Sequence, residues 1–196
     1  MMYYEVLEKR KINDIYEINI ANFKAKPKAG QFVSLIIPNE TEVPLGVGDY
    51  DENSSILKLY IESENLVKKI GKRVIIKGPL GRPLDFTGAK SVLGVSNKKL
   101  FHDISYPLKI ASKNGIKVST ILIEYGQEMN KFEADMIIVS LPLNEIKKYN
   151  FPERKTFIYN RWVKMNCMLG VCGICEIKGK LACIQGPFMR LDEIVD

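Results

Sequence analysis

The sequence predicts a multidomain β plus α/β fold: an antiparallel β-barrel, a small doubly wound parallel sheet, and a cysteine-bearing C-terminal domain. Three observations predict it. Short β-favouring runs follow one another closely up to Lys77, strand-like and helix-like runs alternate across residues 88–152, and all four cysteines fall in residues 153–196. We therefore place the barrel in residues 1–87, the α/β unit in 88–152 and the cysteine domain in 153–196.

In the first unit, "IYEINIANF" and "QFVSLIIP" are rich in β-branched and aromatic residues, and "KPKAG" between them carries turn chemistry. "SSILKLYIE", around Ile56–Ile61, and "KRVIIKG", around Arg73–Lys77, continue the series. With no convincing helix between them, the runs predict a small antiparallel barrel. "GPLGRPLDF" (Gly78–Phe86) then reads as its exit. Beyond Gly88, "SVLGV" is a buried strand, "LFHDISYPLKIASKNG" has a helical apolar rhythm ending at Gly115, and "KVSTILIEYG" is a strand again. "DMIIVSL" and the helix-like "LNEIKKY" complete an alternation that predicts a parallel sheet. A turn at Pro152 opens the last segment with "KTFIYN".

The chain has 196 residues, 46% hydrophobic and 27% charged, enough to bury a core. Its net charge is +6, but lysines are interleaved with acids throughout. That pattern predicts a solvated surface and no nucleic-acid footprint. The first twenty residues carry charges and lack a signal-like apolar stretch, and no run approaches the roughly 20 residues of a membrane span. We expect a cytoplasmic protein with no membrane span, in which clustered thiols serve as metal ligands and not as disulfides.

Cys167, Cys172 and Cys175 form C-x4-C-x2-C, and Cys183 follows eight positions later. Four thiolates on a loop holding Gly170 and Gly173 can wrap closely around a small inorganic core. The first three have the spacing of plant-type [2Fe–2S] ferredoxins. Structural zinc usually shows two C-x2-C knuckles, and only Cys172 and Cys175 form one here. The expected metal centre is a [2Fe–2S] cluster on Cys167, Cys172, Cys175 and Cys183, a one-electron carrier.

The run "YNRWVKMNCMLGVCGICEIKGKLACIQGPFMRLDEI" (Tyr159–Ile194) resembles the cluster domain of the electron-transfer subunit of heteromeric, type B-like dihydroorotate dehydrogenases, down to Gly-Pro-Phe after the last cysteine. The order of barrel, nucleotide-binding-like sheet and cluster domain is similar to the ferredoxin-reductase-like architecture of that family. The resemblance implies the four cysteines as cluster ligands. It also implies a partner, an FMN-containing catalytic subunit in a heterotetramer, which oxidises dihydroorotate to orotate in pyrimidine biosynthesis. It implies FAD on the barrel, at Pro44 and Gly46 and at the Gly-Pro-Leu-Gly turn of Gly78, Pro79 and Gly81.

Local chemistry pulls against that last expectation. Where the family has Arg-Pro-x-Ser, this chain has Val43, Pro44, Leu45 and Gly46, so a cation and a hydroxyl are missing. Glu62 and Glu64 follow the "LY" strand where a phosphate would sit. Arg82 and backbone amides remain to cradle a phosphate. Where the family has a glycine-rich turn, "GVSNKKLFHDISYPL" offers only Gly94, Ser96, Asn97 and Lys98 crowd the approach, and "SLP" (Ser140–Pro142) replaces Cys-Gly-Pro. The resemblance thus implies FAD while the local chemistry opposes it, and we expect NAD(H) to bind weakly or not at all and the final acceptor to be a soluble carrier or quinone.

Elsewhere, His102, the only histidine, is expected in a structural role, and Trp162 as core beneath the cluster loop. Arg161, Lys164 and Arg190 flank the cysteines, either docking an acidic partner or forming a solvated rim. Two other readings stay open: an electron-transfer subunit serving another flavoenzyme or a hydrogenase, and a zinc-stabilised binding module. In all of these the chain is not catalytic alone.

Overall fold

The computed structural model describes residues 2–124 and 132–194. Strand β1 (Met2–Ile12), β2 (Ile15–Ile20), β3 (Phe32–Ile37), β4 (Thr41–Asp51), β5 (Ile56–Ile61), helix α1 (Glu64–Lys69) and β6 (Arg73–Leu80) come first in order. The six strands close into a barrel in the order β1-β2-β5-β4-β3-β6, every pairing antiparallel. Closure depends on two long strands that each serve two neighbours. Met2–Glu5 of β1 pairs with β6, whereas its Val6–Ile12 pairs with β2. Likewise β4 pairs with β3 up to Gly46 and with β5 from Val47, with a register shift before Asp49. Such bulges bend a strand around a barrel corner. Ile18, Ile20, Val33, Leu35, Leu57 and Leu59 are fully buried inside.

Three details differ from the expectation. A helix does intervene before the last barrel strand: α1, capped by Ser63, whose Oγ accepts from Leu66 N at 3.2 Å. β1 and β4 complete the barrel beyond the runs read above: in β1 no residue is fully buried and only Tyr4 and Val6 pack on the core, and in β4 Pro44, Gly46 and Gly48 interrupt the core-facing Val43, Leu45 and Val47. Finally, β6 continues through Leu80, so Gly78 and Pro79 belong to the wall and the exit begins at Gly81.

The second body is a five-stranded sheet. β7 (Ser91–Ser96), α2 (His102–Lys113), β8 (Lys117–Leu122), β9 (Met136–Ser140) and α3 (Leu143–Ile146) are followed by β10 (Thr156–Tyr159). Then come the hairpin strands β11 (Glu176–Ile177) and β12 (Lys180–Leu181), the short α4 (Ala182–Gln185) and β13 (Phe188–Arg190). The sheet order is β13-β10-β9-β7-β8, parallel except for the antiparallel β10–β13 pair. Strands on both sides of the cysteine loop thus extend the same sheet. β7 and β9 are buried almost throughout, as parallel strands covered on both faces are. The end of "KVSTILIEYG", Tyr125 and Gly126, lies outside the described residues.

Helix α2 joins the two bodies. Tyr106 Oη donates to Pro27 O at 2.7 Å, Ser105 Oγ to Gly48 O at 3.1 Å, and Lys109 Nζ meets Asp49 Oδ1 at 2.5 Å. Among the described residues no helix is long and apolar enough to cross a membrane.

Candidate metal centre and adjoining cleft

The cysteine loop folds over a small apolar core of Phe32, Met168, Cys175, Ala182, Cys183 and Met189, so Cys175 and Cys183 are buried while Cys172 is exposed. Positive φ at Met168, Gly170 and Gly173 curls the chain around the thiols. At Gly170 a Cβ would also stand 2.9 Å from Ile184 Cγ1. Cys167 Sγ accepts backbone N–H groups of Leu169 and Cys172, both at 3.4 Å. These donors, joined by that of Val171 and by the Cys172 thiol, lower the Cys167 thiol to about 6. Cys183 behaves oppositely: burial and a hydrogen bond with Cys175 push it up to about 11.

The thiols act on one another: Cys172 helps to lower Cys167, while Cys175 and Cys167 both raise Cys183. No group of three or more His, Cys, Asp or Glu side chains among the described residues is arranged to hold a metal ion as it stands. The donor set nevertheless fits an iron–sulfur core by its chemistry: four free thiols, three on the loop and one in α4, with main-chain N–H groups directed at the Cys167 sulfur. Leu169, Val171, Ile174 and Ile184 form an exposed apolar rim around them, Val171 being 83% exposed. Trp162 is 36% exposed and is not among the residues of the core beneath the loop.

Beside this loop, between barrel and sheet, lies a cleft of about 350 Å³ lined by Phe32, Pro44, Leu45, Gly46, Tyr60 and Met165 among others. Of the five residues expected at FAD, Pro44 and Gly46 line it, whereas Gly78, Pro79 and Gly81 do not. Gly81 instead lets the chain pass Gly186, because a Cβ there would stand 2.5 Å from Gly186 O. Arg82 faces a separate groove with Gln185, Arg190 and Glu193.

Charge in the cleft is satisfied internally. Arg161 binds Asp103 with Nη1 and Glu62 with Nη2, and Glu62 also takes Lys99 at 2.8 Å. Burial alone would raise Glu62, but Lys99 and Arg161 hold it below the usual range. Asp103, buried, further accepts Ser140 Oγ at 2.6 Å. Arg161 is thus neither free rim nor docking cation, and Glu64 is turned away to Lys68 at 2.8 Å. Burial lowers the His102 pKa, with Arg161 adding to the effect and Asp103 opposing it. Its ring stacks near Tyr60 at 5.4 Å between centroids.

These residues do not fit a dinucleotide pyrophosphate. No cation stands at Val43, and the one guanidinium in the cleft is held by two carboxylates. Where the family has a serine, the Tyr159 hydroxyl presses on Gly46 and would stand 2.7 Å from a Cβ there. What the cleft retains is an apolar wall and Asn160, 2% exposed, whose amide oxygen and nitrogen both lack a protein partner.

The crevice at the carboxyl ends of β7 and β9, where a doubly wound sheet binds ligands, is filled in the same way. Asp103 occupies the first turn of α2, the position an anion would take, and is bonded to Ser140 at the end of β9. Gly94 serves packing, since a Cβ there would stand 2.5 Å from Leu108 Cδ1. The sequence offered Arg161 and Asp103 only as isolated charges; no local pattern joins residues 58 apart.

No family model matches the chain. A curated relative, the probable dihydroorotate dehydrogenase B (NAD(+)) electron transfer subunit of Thermoplasma volcanium, is 23% identical over 223 aligned positions, spanning 97% of this chain and 88% of that one. A structure of the NADH-dependent reduced ferredoxin–NADP oxidoreductase, reported for flavin-based electron bifurcation, superposes with TM-score 0.72 at 19% identity, covering 98% and 89% of the two chains. Phthalate dioxygenase reductase, a modular structure for electron transfer from pyridine nucleotides to [2Fe-2S], gives 0.56 at 12% identity over 74% and 62%. In sequence over nearly its whole length, and with a ferredoxin-reductase-like fold, the chain resembles the electron-transfer subunit of dihydroorotate dehydrogenase B.

Proposed function

We propose that this chain is the electron-transfer subunit of a dihydroorotate dehydrogenase complex, not catalytic alone, and that Cys167, Cys172, Cys175 and Cys183 hold a [2Fe–2S] cluster. The observation that carries the reading is that all four cysteines of the chain are free and fall within one stretch, three on a glycine-bearing loop and Cys183 in the short helix that follows it, with backbone N–H groups on Cys167 Sγ. When bound, the cluster supplies single-electron transfer. The chain's part is to hold sulfur as thiolate, with backbone N–H groups at Cys167, and to keep water from Cys175 and Cys183.

The partner is an FMN-containing catalytic subunit in a heterotetramer, in the cytoplasm, serving pyrimidine biosynthesis. Its docking face is the exposed rim of Leu169, Val171, Ile174 and Ile184, which brings its flavin near the thiols. The cleft and the crevice support an acceptor other than NAD, because both anion positions are filled by the protein's own carboxylates. FAD is not part of the route on this reading.

The test is anaerobic purification of the chain with its partner, followed by iron, acid-labile sulfide and heat-released flavin analysis. Two irons and two sulfides per chain with FMN alone are expected. One zinc without iron overturns the cluster assignment, and FAD beside FMN overturns the reading of the cleft.

A further inference from the structure

Lys77 lies in the barrel wall, on the face opposite the core residues Val74 and Ile76, and its side chain, beneath the cysteine loop, is only 19% exposed. Its Nζ donates to the main-chain oxygen of Cys167 at 3.1 Å, across 90 residues of sequence, and pairs with Glu42 Oε1 at 2.5 Å. Glu42 also accepts Ser34 Oγ at 2.5 Å, and Ser34 is completely buried. A polar chain thus crosses β3, β4 and β6 and ends on the first cysteine of the loop. A neutral donor would tether that carbonyl at a lower desolvation cost than an ammonium. The charge adds a field, because Sγ of Cys167 is four bonds from the oxygen that Lys77 holds.

We infer that Lys77 is a positioning residue that also raises the reduction potential of the metal centre, and that Glu42 moderates it. This rests on the proposed [2Fe–2S] assignment. Gaining one electron makes such a centre one charge more negative, with no bond made and no proton moved. A fixed cation beside it favours the reduced form, and a fixed anion opposes it. The two substitutions must therefore act in opposite directions, which a simple tether cannot produce.

The test uses the full chain in its anaerobic complex, titrated with dithionite in the presence of mediators, with the electron-spin signal of the reduced centre and iron per chain as readouts. Lys77→Met should lower the midpoint by about tenfold in the one-electron equilibrium, about 59 mV. Lys77→Arg should leave it in place, and Glu42→Gln should raise it. Shifts of the same sign in Lys77→Met and Glu42→Gln, or no shift in either, overturn the inference. Lowered iron with an unmoved potential in what remains reduces Lys77 to a tether and also overturns it. Absence of any iron signal in the unmodified complex overturns the cluster assignment first, and the role of Lys77 with it.

Discussion

The hydroxyl of Tyr159 occupies the space above Gly46, so close that a Cβ on that glycine would stand 2.7 Å from it. The contact joins β10 of the sheet to β4 of the barrel. Gly46→Ser should destabilise the fold by about 1–3 kcal/mol, the usual cost of overpacking a filled site. Adding Tyr159→Phe removes the opposing oxygen and should recover most of that loss. Urea midpoints of the single and double variants measure both effects, and a neutral Gly46→Ser would show that the ring gives way.

Arg161→Gln leaves Asp103, with 5% of its side chain exposed, buried without its cation. Removing one member of such a pair costs about 3–5 kcal/mol, and we expect the lower end because Arg161 itself is 28% exposed. Asp103→Asn in the same chain should restore part of the stability, since the stranded charge is then gone. Equal loss in single and double variants, read by chemical denaturation, would point to lost packing in place of lost charge.

His102 makes stability depend on pH in a defined direction. Burial holds its folded pKa below 6.5, so below that pH the unfolded chain takes up a proton that the folded chain refuses. Stability is therefore complete above 6.5 and falls as pH drops from there toward the lowered folded value. Since the chain has one histidine, His102→Gln should make the fall between about pH 5.5 and 7 shallower, and the slope that remains belongs to Cys167, whose thiol is lowered to about 6. Denaturant midpoints across that window decide it.

Two glycines of the cysteine loop should respond differently to alanine. Both have positive φ, +76° at Gly170 and +73° at Gly173, which costs about 1–2 kcal/mol for a residue with a side chain. Only at Gly170 would the new Cβ also meet a neighbour, Ile184 at 2.9 Å, whereas nothing lies within 4 Å at Gly173. Gly170→Ala should retain less iron after chelator challenge than Gly173→Ala. The reverse order would mean that Ile184 yields freely.

Cys175→Ser should abolish electron output from the complex while dihydroorotate still bleaches the flavin of the catalytic partner. Stopped-flow absorbance of that flavin, beside steady-state turnover with an artificial acceptor, separates the two. Loss of bleaching as well would mean that the loop supports the partner's own site.

The sequence by itself determined the strands β2, β3, β5 and β6, the alternation of the second body, and the spacing of four thiols. Each is a pattern among covalent near-neighbours, set by side-chain period and turn chemistry. β1 and β4 escaped because only Tyr4 and Val6 of β1 reach the core, and because Pro44, Gly46 and Gly48 break the β-favouring run of β4 even though Val43, Leu45, Val47 and Tyr50 pack inside. Tertiary structure alone decided what the charges do. Arg161 meets Glu62 from 99 residues away and Lys77 meets Cys167 from 90, so no window of sequence contains both partners. The physical reason is that an ion pair depends on which faces pack together, and that is settled only when the barrel, α2 and the last strands of the sheet close on one another.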